Sequence, residues 1–101
     1  MSKKSEAEWN ICGTYQLRHA AGVYWLLKVS PLSMQYCQPI MLNDAGAFLW
    51  RLIINQVDID KMNQYFVQEY EIEQEEAKRD IEAFCDRLEQ FGVIQKETME
   101  I

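Results

Sequence analysis

The sequence predicts an α+β domain, a three-stranded antiparallel sheet followed by a three-helix bundle. Three observations carry this. Residues 15–18 alternate with a period of two, and a β-branched and aromatic run over 23–29 follows a glycine-ended connection. A short apolar run begun by Pro39 follows, and three apolar stripes at helical spacing occupy the rest. Strands first and helices after is the order of an α+β domain.

The first strand starts at Thr14, where Tyr15 and Leu17 alternate with Gln16 and Arg18. His19-Ala20-Ala21-Gly22 supplies the connection, with Gly22 free to take a positive φ. Val23 to Val29 is rich in β-branched and aromatic residues and apolar on both faces until Lys28. The two runs make a hairpin. Ser30-Pro31-Leu32-Ser33 then breaks the pattern, and a loop through Tyr36 leads to the third strand, Gln38–Leu42. Pro39 lacks an N–H, so this strand belongs on an edge. Ile40 and Leu42 share a face and read as core, while Met41 points the other way.

Asn43 is a good N-cap, with Asp44 in the first turn of a helix running to about Ile54. Ala45, Phe48, Leu49, Leu52 and Ile53 form one stripe, with Ala47, Trp50 and Ile54 beside it, so this helix is mostly buried. Gly46 within it costs about 1 kcal/mol relative to Ala, which points to close packing against a neighbour. A second helix starts at Asp58 and runs to about Tyr70, with Ile59, Met62, Phe66 and Tyr70 at helical spacing. A third opens on Gln74-Glu75-Glu76 and carries Ala77, Ile81, Phe84, Leu88 and Phe91, with Cys85 on its shoulder. Gly92 suits C′ and Val93 the apolar C″ position. Residues 1–10 and 97–101 read as polar tails, leaving one domain over 11–96.

Of 101 residues, 49% are hydrophobic and 12% aromatic, too many for a disordered acidic chain. No apolar run is long enough to span a bilayer, and the polar N-terminus has no signal-peptide pattern, so a cytoplasmic protein is expected. The net charge of −6 is uneven. Residues 1–57 hold five basic and three acidic side chains, a net of +2; residues 58–101 hold five and thirteen, a net of −8. Such acidity would repel a phosphate backbone.

Cys12, Cys37 and Cys85 are widely spaced, no CxxC pair exists, and His19 is the one histidine, so no zinc site is expected. Nothing places a cysteine beside His19, which reads as an exposed residue at a strand end. No phosphate-cradling glycine motif occurs. The carboxylates lie on charged helix surfaces rather than paired in an apolar cleft, as acid–base chemistry would require. The expectation is a non-enzyme without catalytic residues, metal or cofactor.

Ile40-Met41-Leu42-Asn43-Asp44-Ala45-Gly46-Ala47-Phe48-Leu49-Trp50 resembles the "LN…GAFLW" element of the PqqD-like family, the RiPP recognition elements that serve ribosomally made, post-translationally modified peptides. Residues 70–84 resemble that family's "eYdvdeeeA..DveaF" run, and Leu88 to Ile94 its "L…Gli" ending. The resemblance covers roughly residues 13–95. It departs where family members often carry Asp-Gly after the first helix; here Asn55-Gln56 stands. The resemblance implies a winged-helix-like domain that acts as a precursor-peptide chaperone. Such a domain binds a precursor's leader segment as an added strand on the third strand and presents it to a radical-SAM or other peptide-modifying enzyme.

Strand addition needs an exposed edge. The candidates on the third strand are Cys37, Gln38, Ile40, Met41 and Leu42. On the third helix, one flank carries Lys78, Glu82, Cys85 and Glu89, the other Asp80, Ala83 and Arg87. The first is preferred because Cys85 extends the apolar surface. Trp9, Trp25 and Trp50 read as structural, and Tyr24 and Leu26 as an outward patch for a modifying enzyme or a second copy. Two other classes compete. A winged-helix nucleic-acid regulator is disfavoured by the three basic against six acidic residues over 74–91. A dimeric adaptor would use the same open edge.

Overall fold

The computed structural model describes residues 9–29 and 39–95. Its elements are β1 (Asn10–Ile11), β2 (Thr14–Ala20), β3 (Val23–Val29), β4 (Ile40–Leu42), α1 (Asp44–Ile54), α2 (Ile59–Tyr70), α3 (Gln74–Gln90) and β5 (Ile94–Gln95). The expected three strands are β2, β3 and β4, which form an antiparallel sheet in that order. The three expected helices follow.

The caps form as their chemistry requires. Asn43 Oδ1 accepts from the Gly46 N–H at 2.8 Å, and Asp58 Oδ1 from the Lys61 N–H at 2.8 Å. At the end of α3 the Gly92 N–H donates to the Glu89 carbonyl and the Val93 N–H to the Leu88 carbonyl. Gly92 has φ +77° and Val93 is buried, so the helix ends in a Schellman motif.

The core lies between one face of the sheet and the helices. Leu26, Ile40 and Leu42 enter from the sheet, Leu49, Trp50 and Ile53 from α1, Met62 and Phe66 from α2, and Ile81, Phe84 and Leu88 from α3. Trp50 is core, as expected; Trp9 packs against the core and Trp25 is half-buried in the sheet. Gly46 is buried, and a Cβ added there would lie 3.3 Å from Leu42 Cβ and 3.3 Å from Phe84 Cε1. That close approach is where β4, α1 and α3 meet.

Two elements go beyond the sequence reading. β1 pairs antiparallel with β5, through Asn10↔Gln95 and Ile11↔Ile94. The Cys12 N–H adds a bond to the Val93 carbonyl at 2.7 Å. Trp9, expected in the tail with Asn10, is tied down as well. Its N–H donates to Gln56 Oε1 at 2.7 Å, its indole N–H to the Val57 carbonyl at 2.7 Å, and Gln56 Nε2 donates back to the Trp9 carbonyl. After α1 the chain turns through the αL region at Gln56, φ 59°, while Asn55 keeps φ −91°. Among the described residues no helix is long and apolar enough to cross a membrane.

Candidate functional site

The hairpin turn fixes which backbone atoms of β4 face outward. Ala21 and Gly22 are its two central residues, with φ 54° and 80°, the signature of a type I′ turn. A two-residue turn makes its closing pair, Ala20 and Val23, a mutually hydrogen-bonded pair. Such pairs alternate along an antiparallel ladder, so Trp25 also directs its N–H and C=O at β2. Tyr24 and Leu26 therefore direct theirs at β4, onto Leu42 and Ile40. Met41, opposite Trp25, is left with both backbone groups on the outer edge. Pro39 has no N–H to offer, and the Asn43 carbonyl already accepts from Ala47. Met41 is thus the residue of β4 that presents a full donor–acceptor pair.

The same phase sorts the side chains. Ile40 and Leu42 are buried, and Met41 is 50% exposed. Met41 shares the outer face with Trp25 and, across β3, with Arg18. The expectation for Tyr24 and Leu26 is reversed. Leu26 is 1% exposed, and Tyr24 packs against the core between His19, stacked at 4.3 Å, and the Arg51 guanidinium at 5.6 Å. The outward face of β3 carries Val23, Trp25, Leu27 and Val29. His19 is exposed within β2 rather than in the turn.

Helix α3 approaches this edge through Arg87, whose Nη2 donates to the Met41 carbonyl at 3.0 Å. The guanidinium also lies 5.9 Å from the centre of the Phe91 ring, which is 57% exposed. Arg87 is in the last turn of α3, where a cation complements the helix dipole. Ala83 and Asp80 lie one and two turns back along the same flank, both exposed. This is the flank the sequence reading ranked second. The preferred flank turns elsewhere: Lys78 and Glu82 line a cleft of ≈ 450 Å³ with Ile59, Asp60 and Asn63 of α2. Cys85 is buried, and Glu89 is half-buried. The reason is geometric. One shoulder of α3, with Lys78 and Glu82, faces α2, while the other reaches β4 through Arg87, so the two meet different neighbours. Cys85 widens the shoulder toward α2, while Phe91 widens the one toward β4. Phe91 was the signal in the sequence, hidden by its reading as core.

Of the candidates, Met41 reaches the edge, whereas Ile40 and Leu42 point into the core. Cys37 and Gln38 lie outside the described residues. Among those described, no group of His, Cys, Asp or Glu side chains is arranged to hold a metal ion. Away from the edge, Phe48, Phe66 and Tyr70 form an aromatic cluster between α1 and α2. Burial pushes the Tyr70 phenol above its ordinary value, with Asp44 and Glu69 adding to the effect.

The model of the family described as coenzyme PQQ synthesis protein D (PqqD) matches residues 34–94. The chain belongs to the PqqD family. The match spans β4 through α3, so the Met41–Arg87 edge lies wholly within the PqqD segment. Among solved structures, the fold is similar to that in "TbiB1 in Complex with the TbiA(beta) Leader Peptide". The TM-score is 0.69 at 16% identity, covering 89% of this chain and 99% of that one. At that identity the likeness is one of fold, and it agrees with the expected three-stranded sheet and three helices. No curated protein matches the chain.

Proposed function

We propose that this PqqD-family domain binds the leader segment of a ribosomally made precursor peptide by adding it as a strand to β4. One observation carries the reading: Met41 presents both backbone groups on the outer edge of β4, beneath α3. An extended peptide pairing there gains main-chain hydrogen bonds, while alternate side chains enter the space toward α3. Membership of the PqqD family supports it, and so does likeness in fold to a protein solved with a leader peptide. The domain then acts as a binding module, presenting the peptide to a separate modifying enzyme, which we take to be of the radical-SAM or another peptide-modifying class. The peptide-contacting residues are Met41 with Asp80, Ala83, Arg87 and Phe91. Lys78 and Glu82, on the cleft against α2, stand apart from that edge.

The test uses 15N-labelled protein and synthetic leader segments of the short peptide reading frames beside its gene. Binding should shift the amides of Met41, Leu42, Ala83 and Arg87 and leave those of Asp60 and Asn63 still. Saturable binding that moves the α2 amides and not Met41 would overturn the proposal, as would no shift at the edge with any segment.

A further inference from the structure

Arg87 occupies an atom that strand addition requires. The Met41 carbonyl is the one acceptor of the outward pair, and the Arg87 guanidinium already holds it. A peptide N–H can take that carbonyl only by displacing or sharing it with Arg87. We infer that Arg87 is a latch on the free edge of β4. It yields the Met41 carbonyl to an incoming strand and then selects a peptide with a carboxylate beside the residue that pairs with Met41. The inference rests on the strand-addition reading above.

The geometry fixes which peptide position this is. The peptide residue opposite Met41 sends its side chain to the outer face, next to Met41 and in line with Trp25. Its two neighbours send theirs to the inner face, the side of Ile40, Leu42 and α3. Arg87 reaches the edge from that side, so its guanidinium meets one of those two neighbours. The chemistry fixes the residue type. An exposed guanidinium that loses a carbonyl partner is best satisfied by a carboxylate, which matches its planar fork with two parallel bonds. Phe91 lies under the guanidinium and holds the fork near the edge after the carbonyl is released. A peptide with neutral neighbours opens the latch and leaves the guanidinium without a new partner. The recognised pattern is therefore an apolar residue opposite Met41 with Asp or Glu at an adjacent position.

The test displays a library of random twelve-residue peptides and selects binders on wild type, Arg87→Met and Arg87→Glu. Arg87 is exposed, and circular dichroism checks that each variant folds. Wild type should enrich Asp or Glu at one position next to an apolar residue. Arg87→Met should lose that enrichment, and Arg87→Glu should replace it with Lys or Arg. For a selected peptide, Asp→Asn at that position should weaken binding to wild type roughly fivefold, the scale of one exposed charge pair. The same change should leave Arg87→Met binding unaltered. Arg87→Met should also bind the Asn peptide more tightly than wild type does, because no latch has to open. The same acidic preference in all three proteins would overturn the selection, and Asn-peptide binding no tighter in Arg87→Met than in wild type would overturn the latch. Either result leaves strand addition standing if the Met41 amide still shifts. Selected peptides that leave the Met41 amide unmoved would overturn strand addition and the latch together.

Discussion

Gly46 has no side chain, yet it sets the distance between three elements. A Cβ there would meet Asn43 Oδ1, Leu42 Cβ and Phe84 Cε1, each at 3.3 Å. Alanine would gain about 1 kcal/mol of helix propensity against those contacts, so its net effect should be small. Valine adds two methyl groups with no room for them. Gly46→Val should cost about 1–3 kcal/mol and lower the thermal midpoint by roughly 4–8 °C per kcal/mol. An unchanged midpoint would mean that α1 slides freely past α3. The need for glycine here was readable from its cost in a helix. Other single residues were readable only where the pattern alternated. Ile40 and Leu42 against Met41 follow from a period of two beside Pro39. Tyr24 and Leu26 did not, because Val23 to Leu27 is apolar on both faces and carries no phase. The turn at Ala21-Gly22 supplies the phase. Arg87 is legible as a member of the other helix flank, but its contact with Met41 is not, since the two are 46 residues apart.

At the scale of elements, the helices were legible because each is punctuated. Asn43 is an N-cap as expected, Asp58 caps the helix it was expected to start, and Gly92 ends α3 at the expected C′ position. The β1–β5 ribbon was not legible. Two-residue strands have no periodicity, and their pairing joins positions on either side of the whole domain. What makes it possible is the Schellman turn, which reverses the chain after Phe91 and buries Val93 just before β5. Gly92→Ala isolates that turn. Nothing lies within 4 Å of an added Cβ, so the cost is that of a left-handed backbone, about 1–2 kcal/mol. The urea midpoint should fall with no change in slope, because the surface exposed on unfolding is the same. Equal midpoints would show that the ribbon, rather than the turn, holds the end of α3.

Across the whole molecule, charge and apolar surface are segregated. The acidic excess belongs to residues 58–101, which contain α2 and α3, while the sheet half is slightly basic. A strand added to β4 runs along the boundary between the two halves and meets a field of mixed sign, with the acidic share the larger. In such a field charge acts mainly on orientation and choice of partner. Affinity has to come from apolar contact on the outer face, where Met41 is half exposed beside Trp25. Met41→Asp places a charge where the paired peptide residue would pack. It should weaken leader-peptide binding by about tenfold or more, the worth of one lost apolar anchor. Because Met41 is outside the core, stability should change by only about 0.5 kcal/mol. Raising salt from about 0.05 to about 0.5 M screens the single Arg87 pair and the diffuse field together. That should weaken binding by no more than roughly fivefold. Titration calorimetry at both salt concentrations gives the comparison directly. A salt effect larger than that of Met41→Asp would make the edge an electrostatic site, and the alternation of apolar and acidic peptide positions would lose its physical basis.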